Sequence, residues 1–78
     1  LLFRMKDSLI VVCGAGGFIG GHLVADLLRQ GHTRIRAVDL KPLHRWYQKF
    51  DGVENLSLDL QELDACRQAT KGAHWVYN

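Results

Sequence analysis

Leu9-Ile10-Val11-Val12-Cys13-Gly14-Ala15-Gly16-Gly17-Phe18-Ile19-Gly20 is the stretch that decides how this chain folds. Its first five residues form a continuous apolar run, mostly β-branched, as in strands buried on both faces in the middle of a parallel sheet. After the glycines, Ile19, Leu23, Val24, Leu27 and Leu28 recur at the spacing of one helical face, and Gly31 stops that helix as a C′ residue. A buried strand, a glycine turn and a helix, in that order, give the glycine spacing its meaning. Gly14, Gly17 and Gly20 fit GxxGxxG, whereas GxGxxG begun at Gly14 would need glycine where Ile19 stands. The first glycine permits the tight turn, the next lets a pyrophosphate approach the backbone, and Gly20 lets the helix pack close to the sheet. Backbone amides from Gly17 to Ile19 would then face the pyrophosphate, with the positive end of the helix dipole behind them. The alternative reading of the same stretch is a glycine turn with no ligand.

Working outward, Arg34-Ile35-Arg36-Ala37-Val38-Asp39 alternates before turning apolar, which suits a second, less central strand ended by Lys41-Pro42. Leu43, Trp46, Tyr47 and Phe50 then recur at i, i+3, i+4 and i+7, predicting a short amphipathic helix whose aromatics pack on the sheet rather than touch a ligand. Asp51-Gly52 makes a turn, and residues 54–59, with Leu56 and Leu58 alternating with Asn55 and Ser57, read as a third strand. Leu60, Leu63, Cys66 or Arg67, and Thr70 mark the face of a third helix ending at Lys71-Gly72. Residues 73–78 form a fourth strand. The order is βαβαβαβ, and right-handed crossovers make it α/β: a Rossmann-like three-layer αβα arrangement around a partial parallel sheet of four strands, order 3-2-1-4. Residues 1–7 read as an N-terminal extension, with residues 1–4 upstream of a natural start at Met5. Residues 8–78 read as the N-terminal part of a dinucleotide-binding domain.

Asp39 lies 19 residues after Gly20, at the end of the second strand, where a carboxylate can accept hydrogen bonds from the adenosine ribose hydroxyls. A 2′-phosphate there would meet like charge, so the expected cofactor is NAD rather than NADP. Lys41 and Arg36 are the basic side chains near enough to offset part of that repulsion. A solvated loop carboxylate is the plainer alternative for Asp39.

Composition narrows the rest. Seventy-eight residues, 47% hydrophobic and 23% charged, make at most one small domain and exclude a multidomain enzyme. The net charge of +2 comes from basic residues that do not cluster, which argues against nucleic acid or a membrane surface as partner. The longest apolar run, Leu9 to Cys13, is far short of a membrane span or a signal-peptide core. Cys13 and Cys66 are isolated in sequence, so they form neither a redox pair nor half of a zinc site, and a reducing, cytoplasmic setting is expected. His22, His32, His44 and His74 show no metal-ligand spacing, and His22 reads as a solvated imidazole on the polar side of its helix. Cys66 reads as a small core residue, and Trp75 as core or interface. With strand order 3-2-1-4 the fourth strand is an edge carrying Trp75, Val76 and Tyr77, so self-association through it is expected.

The stretch Val12 to Gly20, Asp39 after the second strand, Asp59-Leu60 after the third, and Val76-Tyr77-Asn78 in the fourth resemble the N-terminal part of the extended short-chain dehydrogenases, among them the NAD-dependent nucleotide-sugar epimerases and dehydratases. Gly14 to Gly20, Gly31-His32, Asp39-Leu40-Lys41 and residues 73–78 are most similar to the GDP-mannose 3,5-epimerase-like branch. The resemblance implies that Phe18 and Ile19 give backbone amides to the pyrophosphate and that Asp39 holds the ribose. It further implies that Asp59 bonds the adenine amino group while Leu60 packs against or bonds the ring edge. The cofactor-binding set is therefore Gly14, Gly16, Gly17, Phe18, Ile19, Gly20, Asp39, Lys41, Asp59 and Leu60. Cys13 departs from the threonine usual in the family, which removes one hydroxyl near the turn.

Hydride transfer in the resembled enzymes uses a tyrosine with a lysine four residues later. The chain has Tyr47, followed at that offset by Asp51, and Tyr77, one residue before its last. No catalytic residue is therefore assigned, and a nucleotide-sugar substrate belongs to a longer parent. The expected function is the NAD-binding portion of such an epimerase or dehydratase, inactive alone. A free-standing dinucleotide-binding sensor module is the alternative, and a purely structural domain with an empty turn is the third reading.

Overall fold

The computed structural model describes residues 4–78. The reading of residues 1–4 as upstream sequence lies largely outside these residues; Met5–Asp7 forms a single 3-10 turn. The elements are β1 (Leu9–Cys13), α1 (Phe18–Arg29), β2 (Arg34–Asp39), β3 (Glu54–Ser57), α2 (Leu63–Thr70) and β4 (Trp75–Tyr77). The strands form one parallel sheet in the order β3-β2-β1-β4, as the glycine turn and the crossover rule required. Leu9 pairs with Arg34, Ile10 with Trp75 and Arg36 with Glu54, which fixes the register on both sides of β1.

Alternation along β1 feeds two cores. Ile10 and Val12 join Val24 and Leu27 of α1, with Ala15, Ile35, Ala37, Trp46 and Val53, on one face. Val11 joins Val38 and Ala69 of α2 on the other, flanked by Cys13, Leu56, Leu58, Leu60 and Ala73. The chain thus stays on one face while it builds outward from β1 to β3, then crosses on the opposite face to lay β4 on the other side of β1. That reversal leaves β1 at the centre, and Val11 and Val12 are 0% and 1% exposed.

Three expectations need correction. No helix forms over Leu43 to Phe50: one 3-10 turn spans Leu43–Arg45, and Trp46 is already extended at φ −68°, ψ 141°. The i+4 ladder fails because its donors go elsewhere, since the Tyr47 N–H bonds Gly16 O at 2.9 Å. Tertiary contacts have overridden a helical spacing. Only Trp46 of the four named residues is buried; Tyr47 is 60% exposed. On α2 the buried residue is Ala69, while Leu63 is exposed, so the apolar face is rotated from the expected one. Arg36 sets that rotation by donating from Nη1 to the carbonyls of Ala69 at 2.8 Å and Lys71 at 2.9 Å. On α1, Ile19 points outward although Val24 and Leu27 are buried. The third and fourth strands are also shorter than read, ending at Ser57 and beginning at Trp75. Leu58 and His74 nevertheless continue the pairing through bonds to Asp39 O and Leu9 O.

Candidate functional site

The carboxyl ends of β1, β2 and β3 open onto one edge of the sheet, where ligands of open α/β folds bind. Gly14 ends β1 with φ +74°, a value that favours glycine, and no atom lies within 4 Å of the place a Cβ would take. Ala15 N–H continues the ladder to Val38 O at 3.0 Å, and Gly17 N–H closes the turn onto Gly14 O at 3.1 Å. Gly20 sits one helical turn into α1, directly against that turn. A Cβ on it would fall 2.1 Å from Gly14 O, so the helix can seat here only because position 20 lacks a side chain. Gly17 is the N-cap and no side chain caps the helix. Amides of the first turn, where Phe18 and Ile19 lie, have no intrahelical acceptors and are available to an anion. The Phe18 and Ile19 side chains are 60% and 83% exposed above them.

Asp39 ends β2 beside this turn. Its Oδ2 accepts the Gly16 N–H at 2.9 Å and its Oδ1 accepts the Lys41 N–H at 2.9 Å, so both oxygens are anchored by backbone. A carboxylate has about four lone-pair positions, which leaves two for hydroxyls of a ligand. The Asp39 carbonyl accepts Leu58 N–H at 3.0 Å, tying the loop after β3 to the same place. There Asp59 turns the chain, with Oδ1 accepting Gln61 N–H and its carbonyl accepting Glu62 N–H, both at 3.0 Å. Leu60 packs half-buried on the Val11 cluster, and its carbonyl accepts the Cys66 thiol at 3.0 Å. The two groups, Gly14 to Gly20 with Asp39 and Lys41, and Asp59 with Leu60, thus share one edge of the sheet.

Sequence reasoning missed two features. His22 is exposed but not isolated: its ring lies 4.4 Å from Phe18, and Phe18 lies 4.9 Å from Tyr47, making an aromatic surface beside the glycine turn. The i, i+4 pairing of Phe18 and His22 was the available signal. Trp46 was read as sheet packing, yet its indole sits against Gly16: a Cβ there would come within 2.8 Å of Cδ1. A cavity of about 230 Å³ lined by Leu9, Thr33, Arg34, Gly52 and Glu54 lies at the opposite, amino-terminal end of the strands, away from these groups. Among the described residues no group of three or more His, Cys, Asp or Glu could hold a metal, and no helix is long and apolar enough to cross a membrane.

A parallel 3-2-1-4 sheet with an uncapped helix after a glycine turn and an anchored carboxylate after β2 defines the first half of a Rossmann-type domain. More narrowly, residues 11–78 match the 3-beta hydroxysteroid dehydrogenase/isomerase family, and the chain belongs to that family of extended short-chain dehydrogenases. It is 36% identical over 69 residues to GDP-mannose 3,5-epimerase 1 of Oryza sativa subsp. japonica, covering 88% of this chain and 18% of that protein. It also superposes with TM-score 0.70 and 31% identity on a short-chain dehydrogenase/reductase superfamily protein from Agrobacterium tumefaciens crystallised with bound NAD, covering 87% of this chain and 19% of that one. The chain spans about a fifth of the length of the proteins it matches.

Proposed function

We propose that residues 8–78 hold the adenosine and pyrophosphate part of NAD, as the N-terminal portion of an NAD-dependent nucleotide-sugar epimerase or dehydratase. The observation that carries this reading is the Asp39 carboxylate, bonded to Gly16 of the turn and to Lys41, with acceptor capacity left over beside an uncapped helix. The residues fit the group: the space over Gly14 is open, Gly17 would bring a Cβ no closer than 3.5 Å to any neighbour, and two carboxylate positions match two ribose hydroxyls. In this reading the first-turn amides of Phe18 and Ile19 take the pyrophosphate, the Gly17 N–H being spent on Gly14 O, while Asp39 takes the ribose, Asp59 the adenine amino group and Leu60 the ring edge. NAD supplies hydride chemistry when bound. These residues bind and orient it, and Tyr47, with Asp51 four residues on, is given no proton-transfer role. In this reading residues 8–78 serve cofactor binding, and the sugar nucleotide is met by other parts of a longer parent. The two thiols, isolated in sequence, agree with a cytoplasmic setting.

Calorimetric titration with NAD, NADP and ADP tests this. NAD and ADP bind in the high-micromolar to millimolar range, NADP binds more weakly, and Asp39→Ala lowers the NAD and ADP affinities by more than about tenfold, the worth of one of its two hydrogen bonds to ribose hydroxyls. No heat with millimolar NAD or ADP, or tighter binding of NADP, overturns the reading.

A further inference from the structure

Trp46 looks like a core residue: it is 8% exposed and packs with Val12, Ala15 and Val24. Its polar atom has a second role. Indole Nε1–H donates to Lys41 O at 2.8 Å, and the next residue, Tyr47, donates its N–H to Gly16 O at 2.9 Å. Gly16 N–H in turn donates to Asp39 Oδ2, and Lys41 N–H donates to Asp39 Oδ1. These four bonds close a circuit through Asp39, Gly16, the Trp46-Tyr47 pair and Lys41. The two residues whose N–H groups orient the carboxylate, Gly16 and Lys41, are therefore each held at the carbonyl, one peptide group further along, by one aromatic dipeptide. The indole bond limits the backbone of Lys41 on its carbonyl side, and the Tyr47 bond limits that of Gly16 in the same way. A buried indole N–H must find an acceptor, and the one it finds lies on the loop that carries the carboxylate.

We infer that Trp46 is a positioning residue for nucleotide recognition, acting through Lys41 and Gly16 to fix the direction of the Asp39 lone pairs toward the ribose 2′-hydroxyl. The inference rests on the proposed role of Asp39, and the test separates the two. ADP and 2′-deoxy-ADP are titrated into the native chain and into Trp46→Phe, which keeps an aromatic ring in the core and removes the N–H. The native chain prefers ADP by about tenfold. In Trp46→Phe the preference falls to about twofold or less, with affinity for ADP falling more than affinity for 2′-deoxy-ADP, a pattern that general loosening of the fold would not give. An unchanged preference overturns the inference alone; failure of the native chain to bind ADP overturns the proposed function and the inference with it. If Trp46→Phe does not fold, the native chain decides: ADP slows solvent exchange of the Trp46 indole N–H more than 2′-deoxy-ADP does at equal saturation, with Trp75 as internal control. Equal slowing by the two nucleotides overturns the inference.

Discussion

At the scale of single residues, the glycine turn offers the sharpest consequences. Gly20 has backbone where a Cβ would go, and backbone cannot be pushed aside as a flexible side chain can. Gly20→Ala is expected to cost about 3 kcal/mol, a large share of the roughly 5 to 10 kcal/mol available to a small domain. The midpoint of urea unfolding checks it. Cys13 gives a second prediction. Burial at the end of β1 raises its thiol pKa above the ordinary value, with the nearby Cys66 adding to the shift. The folded chain thus holds the Cys13 proton more tightly than the unfolded one. This contribution to stability is complete below the ordinary thiol pKa and is lost as pH rises through the raised one. In a pH series with an alkylating reagent, Cys13 in the folded chain reacts at more alkaline pH than in the urea-unfolded chain.

At the scale of elements, α2 depends on one side chain from the sheet. Eight residues are too few for a helix to persist in water unaided, and the carbonyls of its last turn need donors. Arg36 supplies them from β2 while its Nε bonds Glu54 Oε1 at 2.6 Å on the neighbouring strand. Arg36→Met keeps the apolar stem and removes the donors; a loss of about 2 kcal/mol in thermal unfolding is expected, and Arg36→Lys, with one point charge in place of a fork, recovers little of it. The same element shows what sequence could and could not convey. β1, β2 and the glycine turn were legible because their identity is local: a β-branched run, an alternating run and spaced glycines each specify a backbone by themselves. The side chain of Asp39 could be placed from its distance along the chain, since the end of β2 is fixed once β1 and α1 are. The Leu43 to Phe50 segment was not legible, because after one 3-10 turn the carbonyl that claims the Tyr47 N–H belongs to Gly16, outside any helical spacing. Nor was the face of α2, which is set by a hydrogen bond from a residue in another element.

At the scale of the whole molecule, β4 pairs with β1 along one edge and presents the other. Trp75, Val76 and Tyr77 are 56%, 49% and 45% exposed, so Trp75 is not part of the core. We propose that this edge drives association between copies of the isolated chain. Light scattering is expected to show mass rising with concentration, and Val76→Lys, which puts a charge in the middle of the edge, to hold the chain monomeric. A monodisperse native monomer at high concentration overturns it.

The circuit joining Asp39 to Gly16 spans 23 residues, with Trp46 and Tyr47 further along still. During synthesis the glycine turn leaves the ribosome well before the groups that complete it. A nascent chain therefore carries the glycine turn before the Asp39 carboxylate is held beside it, and gains the complete circuit only when β2 has docked and the Trp46 segment has folded back. Recognition is in this sense a late product of folding, and a nucleotide that binds the finished circuit favours the folded chain by mass action.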